Sequence, residues 1–297
     1  MTYIGGIVPE GTIHMSNLKN SACLALISCL ITSFPARAAD LKSENVVAKH
    51  VQSLGSAESL AAAKSRVAQG TLVYRVLVGG SGQLGGSAVI VSEGSKAHLR
   101  LKVPSNQYSG ERFVCDGQKT KVAAAYVDKT YSEFGDFLKG QDVPLREGLL
   151  GGVLTTAWPL LNLESRKATV SYEGLRKVEG RELHVLRYKP RKNPDLSILM
   201  YFDGDTFRHV MTTYTASLQP RMGMTEAEAS REQQSRYRIE ERFSDFKTVD
   251  GLTLPSHYDL RFTEELSHGF TKSVEWDVTL NDVANNVSLD PRNFDIK

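Results

Sequence analysis

Between Tyr237 and Leu280 the sequence alternates with a period of two, a pattern compatible with little except three consecutive half-buried β-strands. Tyr237, Ile239 and Phe243 fall on one parity, and Arg236, Arg238, Glu240 and Arg242 on the other; Glu241 is the one charge among the apolar positions. After a turn at Asp250-Gly251, Tyr258, Leu260 and Phe262 alternate with His257, Asp259, Arg261 and Thr263. Val274, Trp276, Val278 and Leu280 then alternate with Ser273, Glu275, Asp277 and Thr279. Successive side chains of a strand point to opposite faces, so each segment has one wet and one dry face. The fold question becomes what the dry face is dry against.

Much of the chain upstream repeats the pattern. Strands are expected over Thr71 to Val78, Ser87 to Val91 and Ala97 to Val103, the last stopped by Pro104. A hairpin follows around Asp116-Gly117, and further strands over Ala168 to Arg176, Arg181 to Lys189, Ser197 to Phe202 and Arg208 to Thr215. Leu196 to Phe202 is apolar on both parities, which predicts a central strand. Gly80-Ser81-Gly82-Gln83-Leu84-Gly85 spells G-x-G-x-x-G, but a β-branched run follows it rather than a helix, so it reads as a hairpin loop and not as a phosphate cradle. Residues 217–234 read as a polar excursion, and Phe294 as an aromatic tucked against the sheet edge.

Helical spacing is confined to two places. Val47, Val51 and Leu54 mark a helix over Ser43 to Leu54 with Gly55 as its stop, and Leu60, Lys64 and Val67 mark a second piece ending at Gly70. Farther on, Leu145, Leu149, Val153 and Ala157, flanked by Leu150, Leu154 and Trp158, predict one very apolar helix ending before Pro159. A helix this apolar must lie on something, and the dry sheet face is the large candidate. Gly148, Gly151 and Gly152 loosen it, leaving open whether the 134–163 segment is a fixed core element or a movable lid.

The N-terminus has the order of parts of a secretory signal peptide: Lys19, an apolar run from Ser21 to Ile31, then Pro35 and Ala36-Arg37-Ala38. The run falls short of the ~20 residues that cross a bilayer. The expectation is a signal peptide over 1–38, with Met15 a better start than Met1, and a single exported domain over 39–297. Cys29, after Leu26-Ile27-Ser28, offers a lipid anchor as the competing reading. Cleavage leaves Cys115 as the lone thiol, so no internal disulfide is expected; in a strand with no basic neighbour it reads as a small buried hydrophobe. A formal charge of +2 gives no bias toward nucleic acid.

No H-x-H, H-E-x-x-H, C-x-x-C or G-x-S-x-G occurs. His184, His209 and His257 lie on expected strands and would have to converge to hold a metal. The Asp203-Gly204-Asp205 turn lacks the spaced carboxylates of a calcium loop. The expectation is therefore no enzyme, no cofactor and no metal. What remains is a curved antiparallel sheet with an apolar concave face under a helical cover. Phe243, Tyr258, Leu260, Phe262 and Trp276, with Leu149, Val153 and Trp158 from the cover, are the expected lining of a hydrophobic ligand site.

Several landmarks resemble, in order and spacing, the LolA/LolB-like periplasmic outer-membrane lipoprotein-sorting family. They are Gln52-Ser53-Leu54-Gly55, Lys102-Val103-Pro104, Val114-Cys115-Asp116-Gly117-Gln118-Lys119, Tyr201-Phe202-Asp203, and Phe243-Ser244-Asp245-Phe246 through Leu252-Thr253-Leu254-Pro255. The resemblance implies an incomplete β-barrel of α+β class with a helical lid, and a soluble carrier or chaperone in outer-membrane biogenesis. Its partners would be lipid or lipoprotein acyl chains and the transport components of the two membranes. The sequence departs from the family after Pro104, where Ser105-Asn106-Gln107-Tyr108 contains no arginine. The resemblance also leaves open an envelope-stress sensor on the same fold.

Overall fold

The computed structural model describes residues 42–127, 132–192, 195–218, 235–266 and 269–296; the expected signal peptide, the Cys29 lipid site and most of the 217–234 excursion lie outside them. Twelve strands form one antiparallel sheet: β1 (Ser65–Val78), β2 (Gln83–Glu93), β3 (Lys96–Lys102), β4 (Gly110–Cys115), β5 (Thr120–Ala124), β6 (Thr169–Val178), β7 (Arg181–Lys189), β8 (Leu196–Asp203), β9 (His209–Leu218), β10 (Ser235–Val249), β11 (Leu252–Leu266) and β12 (Thr271–Asn285). Their spatial order is β5-β4-β3-β2-β1-β12-β11-β10-β9-β8-β7-β6. The sheet is curved and unclosed, an incomplete barrel. β10, β11 and β12 are the consecutive antiparallel strands that the alternation predicts, and they lie at its middle.

This order dictates the rest of the architecture. The chain enters at the centre on β1 and steps outward by hairpins to the β5 edge. It then crosses to the opposite edge, β6, and steps back to the centre on β12, which pairs with β1. The crossing carries α3 (Glu133–Gly140), α4 (Val143–Arg146), two single-turn 3-10 pieces at Gly152–Leu154 and Pro159–Leu161, and α5 (Leu163–Arg166). Its apolar side chains share one core with the inward residues of all the strands. Phe134 stands 5.2 Å from Phe262 and 4.9 Å from Trp276, centroid to centroid, and Phe137 stacks on Tyr237 at 5.0 Å. Each such buried side chain contributes about 1.5–3 kcal/mol. The crossing is thus a plug tied at both ends, which no hairpin-only sheet would need.

The expected single helix over 145–157 does not form. Gly148, Gly151 and Gly152 adopt φ of 72°, 81° and 50°, left-handed values that end a helix, so the same apolar residues reach the core from short turns. At Gly148 a Cβ would come within 2.3 Å of the Ala157 carbonyl oxygen.

The N-terminal helices differ from expectation in detail. α1 (Ser43–Leu54) has the expected bounds, but its core face is Val46, His50 and Leu54, because a histidine supplies the middle position. α2 (Ala57–Ala62) is shorter than the spacing of Leu60, Lys64 and Val67 suggests. From Ser65 the chain is already β1, and Gly70 lies at a register shift where a Cβ would meet the Thr279 carbonyl oxygen at 1.9 Å. β8 is third from the β6 edge rather than central. Its second parity is apolar because Tyr201 joins Leu183, Val185, Val210 and Met211 in a separate cluster apart from the main core.

The turns follow expectation. Asp116 Oδ1 accepts from the amides of Gln118 and Lys119, and Asp203 Oδ1 from those of Asp205 and Thr206. Gly79 to Gly82 connect β1 to β2 as a hairpin loop. Phe294 is buried, with the Lys96 ammonium 5.5 Å from its ring. Cys115 is buried and its thiol is pushed upward by burial, as befits an inert core residue.

Candidate functional site

The inner face of β9 to β11 meets the plug across a line of polar groups, all inside the apolar core. Glu241 occupies an inward position of β10 with 0% of its surface exposed. Its carboxylate accepts from the Gly151 amide at 2.7 Å, the Tyr214 hydroxyl at 2.6 Å and the Tyr258 hydroxyl at 2.8 Å. Three donors, one from the plug and two from neighbouring strands, make this carboxylate the joint between plug and sheet. Burial nevertheless dominates its titration and pushes it up to about 7, against the opposite pull of the three donors.

Beside it lies an imidazole pair. Trp158 Nε1 donates to His50 Nε2 at 3.0 Å, which requires the His50 proton on Nδ1, where it faces the Phe207 carbonyl oxygen at 3.1 Å. That tautomer is neutral, and burial pulls the ring down to about 4. His209 stacks near Trp158 at 4.6 Å and near Phe243 at 4.7 Å. Its Nε2 meets Thr212 Oγ1 at 2.7 Å, while its buried Nδ1 has no hydrogen-bond partner, and burial drives the ring well below the ordinary histidine range. Gly152 fits this corner only because it has no side chain: a Cβ would stand 2.7 Å from Phe243 Cζ and 3.1 Å from His209 Nδ1. Gly152→Ala is expected to cost about 1–3 kcal/mol, read as a lowered urea midpoint at unchanged slope; an unshifted midpoint would show that the plug is not seated here.

Two more joints hold the plug. Tyr188 OH donates to Glu147 at 2.9 Å, and the Thr156 amide to Ser92 Oγ at 2.9 Å. Near the β5 edge, Glu111 accepts from Ser132 and from Tyr108, whose hydroxyl in turn accepts from Trp276 Nε1 at 2.8 Å. Tyr108, in the loop where the resemblance leads one to look for an arginine, thus stacks on Tyr74 and caps the Trp276 indole.

All eight expected lining residues, Leu149, Val153, Trp158, Phe243, Tyr258, Leu260, Phe262 and Trp276, are brought into this one core, each nearly or wholly buried. They pack on one another's neighbours. Where Ile90, Leu99 and Phe113 face Leu145 and Leu150, the gap is about 10 Å³, the volume of roughly one water. Val153 and Trp158 also border a larger cavity, of about 230 Å³, at the end of the sheet beneath α2.

The three strand histidines lie in separate places. His184 stacks on Phe207, His209 sits in the core, and His257 lies half-buried on β11 beside the carboxylates of Asp259 at 3.3 Å and Asp277 at 3.5 Å. That trio has the donor types of a metal site, but the Arg75 guanidinium already engages Asp277 at 2.7 Å, so the group is a segment of an ionic ladder that continues through Glu275 and Arg261. Sequence reasoning gave no role to His50, Tyr214 or Glu241. Glu241 carried the one available signal, a charge on a dry parity.

No family model matches the chain, and no curated protein does. Among solved structures it is similar to a DUF1329 family protein from Desulfovibrio piger, at 12% identity over 85% of this chain and 97% of that one, with a TM-score of 0.46. It is also similar to a LolA superfamily protein from Nitrosomonas europaea, at 12% identity over 86% and 98%, with a TM-score of 0.44. The Pseudomonas aeruginosa MucA/MucB complex gives 11% identity over 82% and 100%, with a TM-score of 0.23. For the described residues, no helix is long and apolar enough to cross a membrane.

Proposed function

We propose that the protein is an exported, periplasmic carrier that takes acyl chains of a lipoprotein, lipid or similar hydrophobic ligand between the plug and the inner face of the sheet. The observation that carries this reading is the plug itself. An unclosed sheet with one apolar face is covered by a crossing whose longest helix is the eight-residue α3, broken by three left-handed glycines. Short turns of this kind repack at lower cost than one rigid helix, and acyl methylenes replace the contacts they give up at about 0.8 kcal/mol each. The segment is joined to both sheet edges, so opening would be a repacking within the barrel and not the swing of a free lid.

A second reading is favoured by the tight packing of the eight lining residues: a sensor module on the same fold that binds an envelope protein through its surface, with the inner face serving as permanent core. Native mass spectrometry with lipid extraction, on residues 39–297 recovered from the periplasm, separates the two. The carrier reading expects co-purifying lipid or acylated peptide that is lost on delipidation and regained with added lipid. A chain that stays at its apo mass and takes up no lipid would overturn it and leave the sensor.

A further inference from the structure

The cavity beneath α2 is lined by a buried cation, Arg66, for which the described residues supply no counter-ion. Arg66 shares the inward parity of β1 with Ala68 and Leu72, at the end of the sheet where the apolar stripe stops. Its side chain is only 4% exposed. Of its five N–H groups, one goes from Nε to Asn285 Oδ1 at 2.8 Å and one from Nη1 to the Val153 carbonyl oxygen at 2.7 Å, both neutral acceptors. Among the described residues no carboxylate forms an ion pair with it. The Asp250 carboxylate reaches it only through the Asn285 amide, whose Nδ2 donates to Asp250 Oδ2 at 3.0 Å. Burial alone pulls the guanidinium down to about 10. A guanidinium desolvated this far and left unpaired costs stability unless something compensates it.

The space beside it is shaped for such a compensation. The cavity measures about 230 Å³; its walls are mostly apolar, among them Leu54, Leu60, Val153, Trp158 and Leu254, with Thr155 and Thr156 beside them, and among the described residues its charged lining is Arg66 and Lys64. Lys64 and Ala61 are exposed, so one side opens to solvent. Glu58 and Asp250 border the adjoining groove on the other side of Ala63 and Leu252 and are absent from this lining. Since an apolar cavity of about 150 Å³ takes benzene, this one takes a body of roughly nine or ten non-hydrogen atoms. That is too little for a lipid's chains and enough for a short one.

We infer that this cavity is a binding site for a small carboxylate amphiphile, its apolar tail against Trp158 and Leu54 and its carboxylate on the Arg66 guanidinium, with Lys64 at the mouth. The site borders the plug through Val153 and Trp158, but the space is already open and needs no repacking of the plug, so it does not depend on the carrier reading. The planar guanidinium favours a carboxylate over a neutral head of the same size, because charge-assisted hydrogen bonds replace water on both partners.

Octanoate, at neutral pH, is the probe. Titrated into 15N-labelled protein, it is expected to saturate at one per chain and to move the indole N–H signal of Trp158 while leaving that of Trp276, the other tryptophan, in place. 1-Octanol, with the same chain and no charge, is expected to bind at least about tenfold more weakly. Arg66→Gln should weaken octanoate by a similar factor without affecting octanol. Ala63→Phe fills the cavity from the half-buried end of α2, leaves the guanidinium untouched, and should abolish binding of both. It keeps the test decisive if the Gln variant does not fold. Absence of saturable octanoate binding at millimolar concentrations, equal affinity for octanol, or full binding by the Ala63→Phe variant would overturn the proposal.

Discussion

Glu241→Ala is expected to lower the unfolding free energy by about 4 kcal/mol, among the largest effects of any single substitution in this chain. The change leaves three donors without their acceptor in a site from which water is excluded: the Gly151 amide and the hydroxyls of Tyr214 and Tyr258. Each stranded donor costs about 1–3 kcal/mol, and the hydroxyls recover a part by rotating. Because one of the three belongs to the plug, the loss should also raise amide exchange from residue 143 to residue 161 more than in β1 or β12. Glu241→Gln keeps the shape and most of the acceptor capacity and should cost less than about 2 kcal/mol. A urea melt of the two variants checks this, and equal destabilisation by Ala and Gln would show that volume, not the carboxylate, holds the joint.

The same pair isolates a pH dependence whose sign is fixed by burial. The folded state raises Glu241 from 4.5 to about 7, so it binds the proton more tightly than the unfolded chain does. The resulting stability is complete below about pH 4.5 and is lost as pH rises to about 7, a total of about 3 kcal/mol. Glu111, also raised to about 7 by burial, acts in the same direction. The histidines act oppositely: the buried His50 and the half-buried His98 of β3, each lowered to about 4, and the buried His209, held well below the ordinary histidine range by burial, withdraw stability as pH falls below 6.5. Wild-type stability in the acid range is therefore a compromise between the two sets. The difference between wild type and Glu241→Gln removes the common terms, and wild type should lose about 3 kcal/mol relative to the variant between pH 4.5 and pH 8. A difference constant across that range would mean that Glu241 stays ionised throughout.

How far such a site could be read from sequence depends on which contacts make it. The strands were legible because a period of two and turn dipeptides such as Asp116-Gly117 are local signals, and the inward parity of Phe243, Tyr258, Leu260, Phe262 and Trp276 follows from them directly. The sheet order was not, since the pairing of β1 with β12 joins residues about two hundred positions apart. Spacing read the plug as one helix, because Leu145, Leu149 and Val153 satisfy the helical period whether they reach the core from a helix or from turns; only the left-handed glycines between them decide. Glu241 was visible as a charge on a dry parity, yet its partners come from β9, β11 and the plug, three elements with no sequence relation to it. Arg66 was invisible, since it stands where helical spacing seemed still to hold and its meaning depends on the missing counter-ion.

Trp158→Ala is expected to cost about 3–5 kcal/mol. The indole is nearly fully buried, lies 4.6 Å from His209, and hands its N–H to His50 on α1, so it joins the plug, the sheet and the N-terminal helix at one point. Truncation removes that bridge, leaves His50 Nε2 without its donor, and extends the 230 Å³ cavity that the ring borders. Trp158→Phe keeps most of the packing and loses only the hydrogen bond, for about 1–2 kcal/mol. The His50 imidazole is also the group whose neutral tautomer the indole fixes, so the Phe variant should let His50 titrate closer to its ordinary 6.5 and reduce the stability that this ring withdraws as pH falls below 6.5. Denaturation midpoints at pH 5 and pH 7 read both consequences: the gap between wild type and Trp158→Phe should narrow at pH 5, because the variant loses less stability on acidification. If the gap is the same at both pH values, the indole acts by packing alone, and the polar line between plug and sheet ends at Glu241.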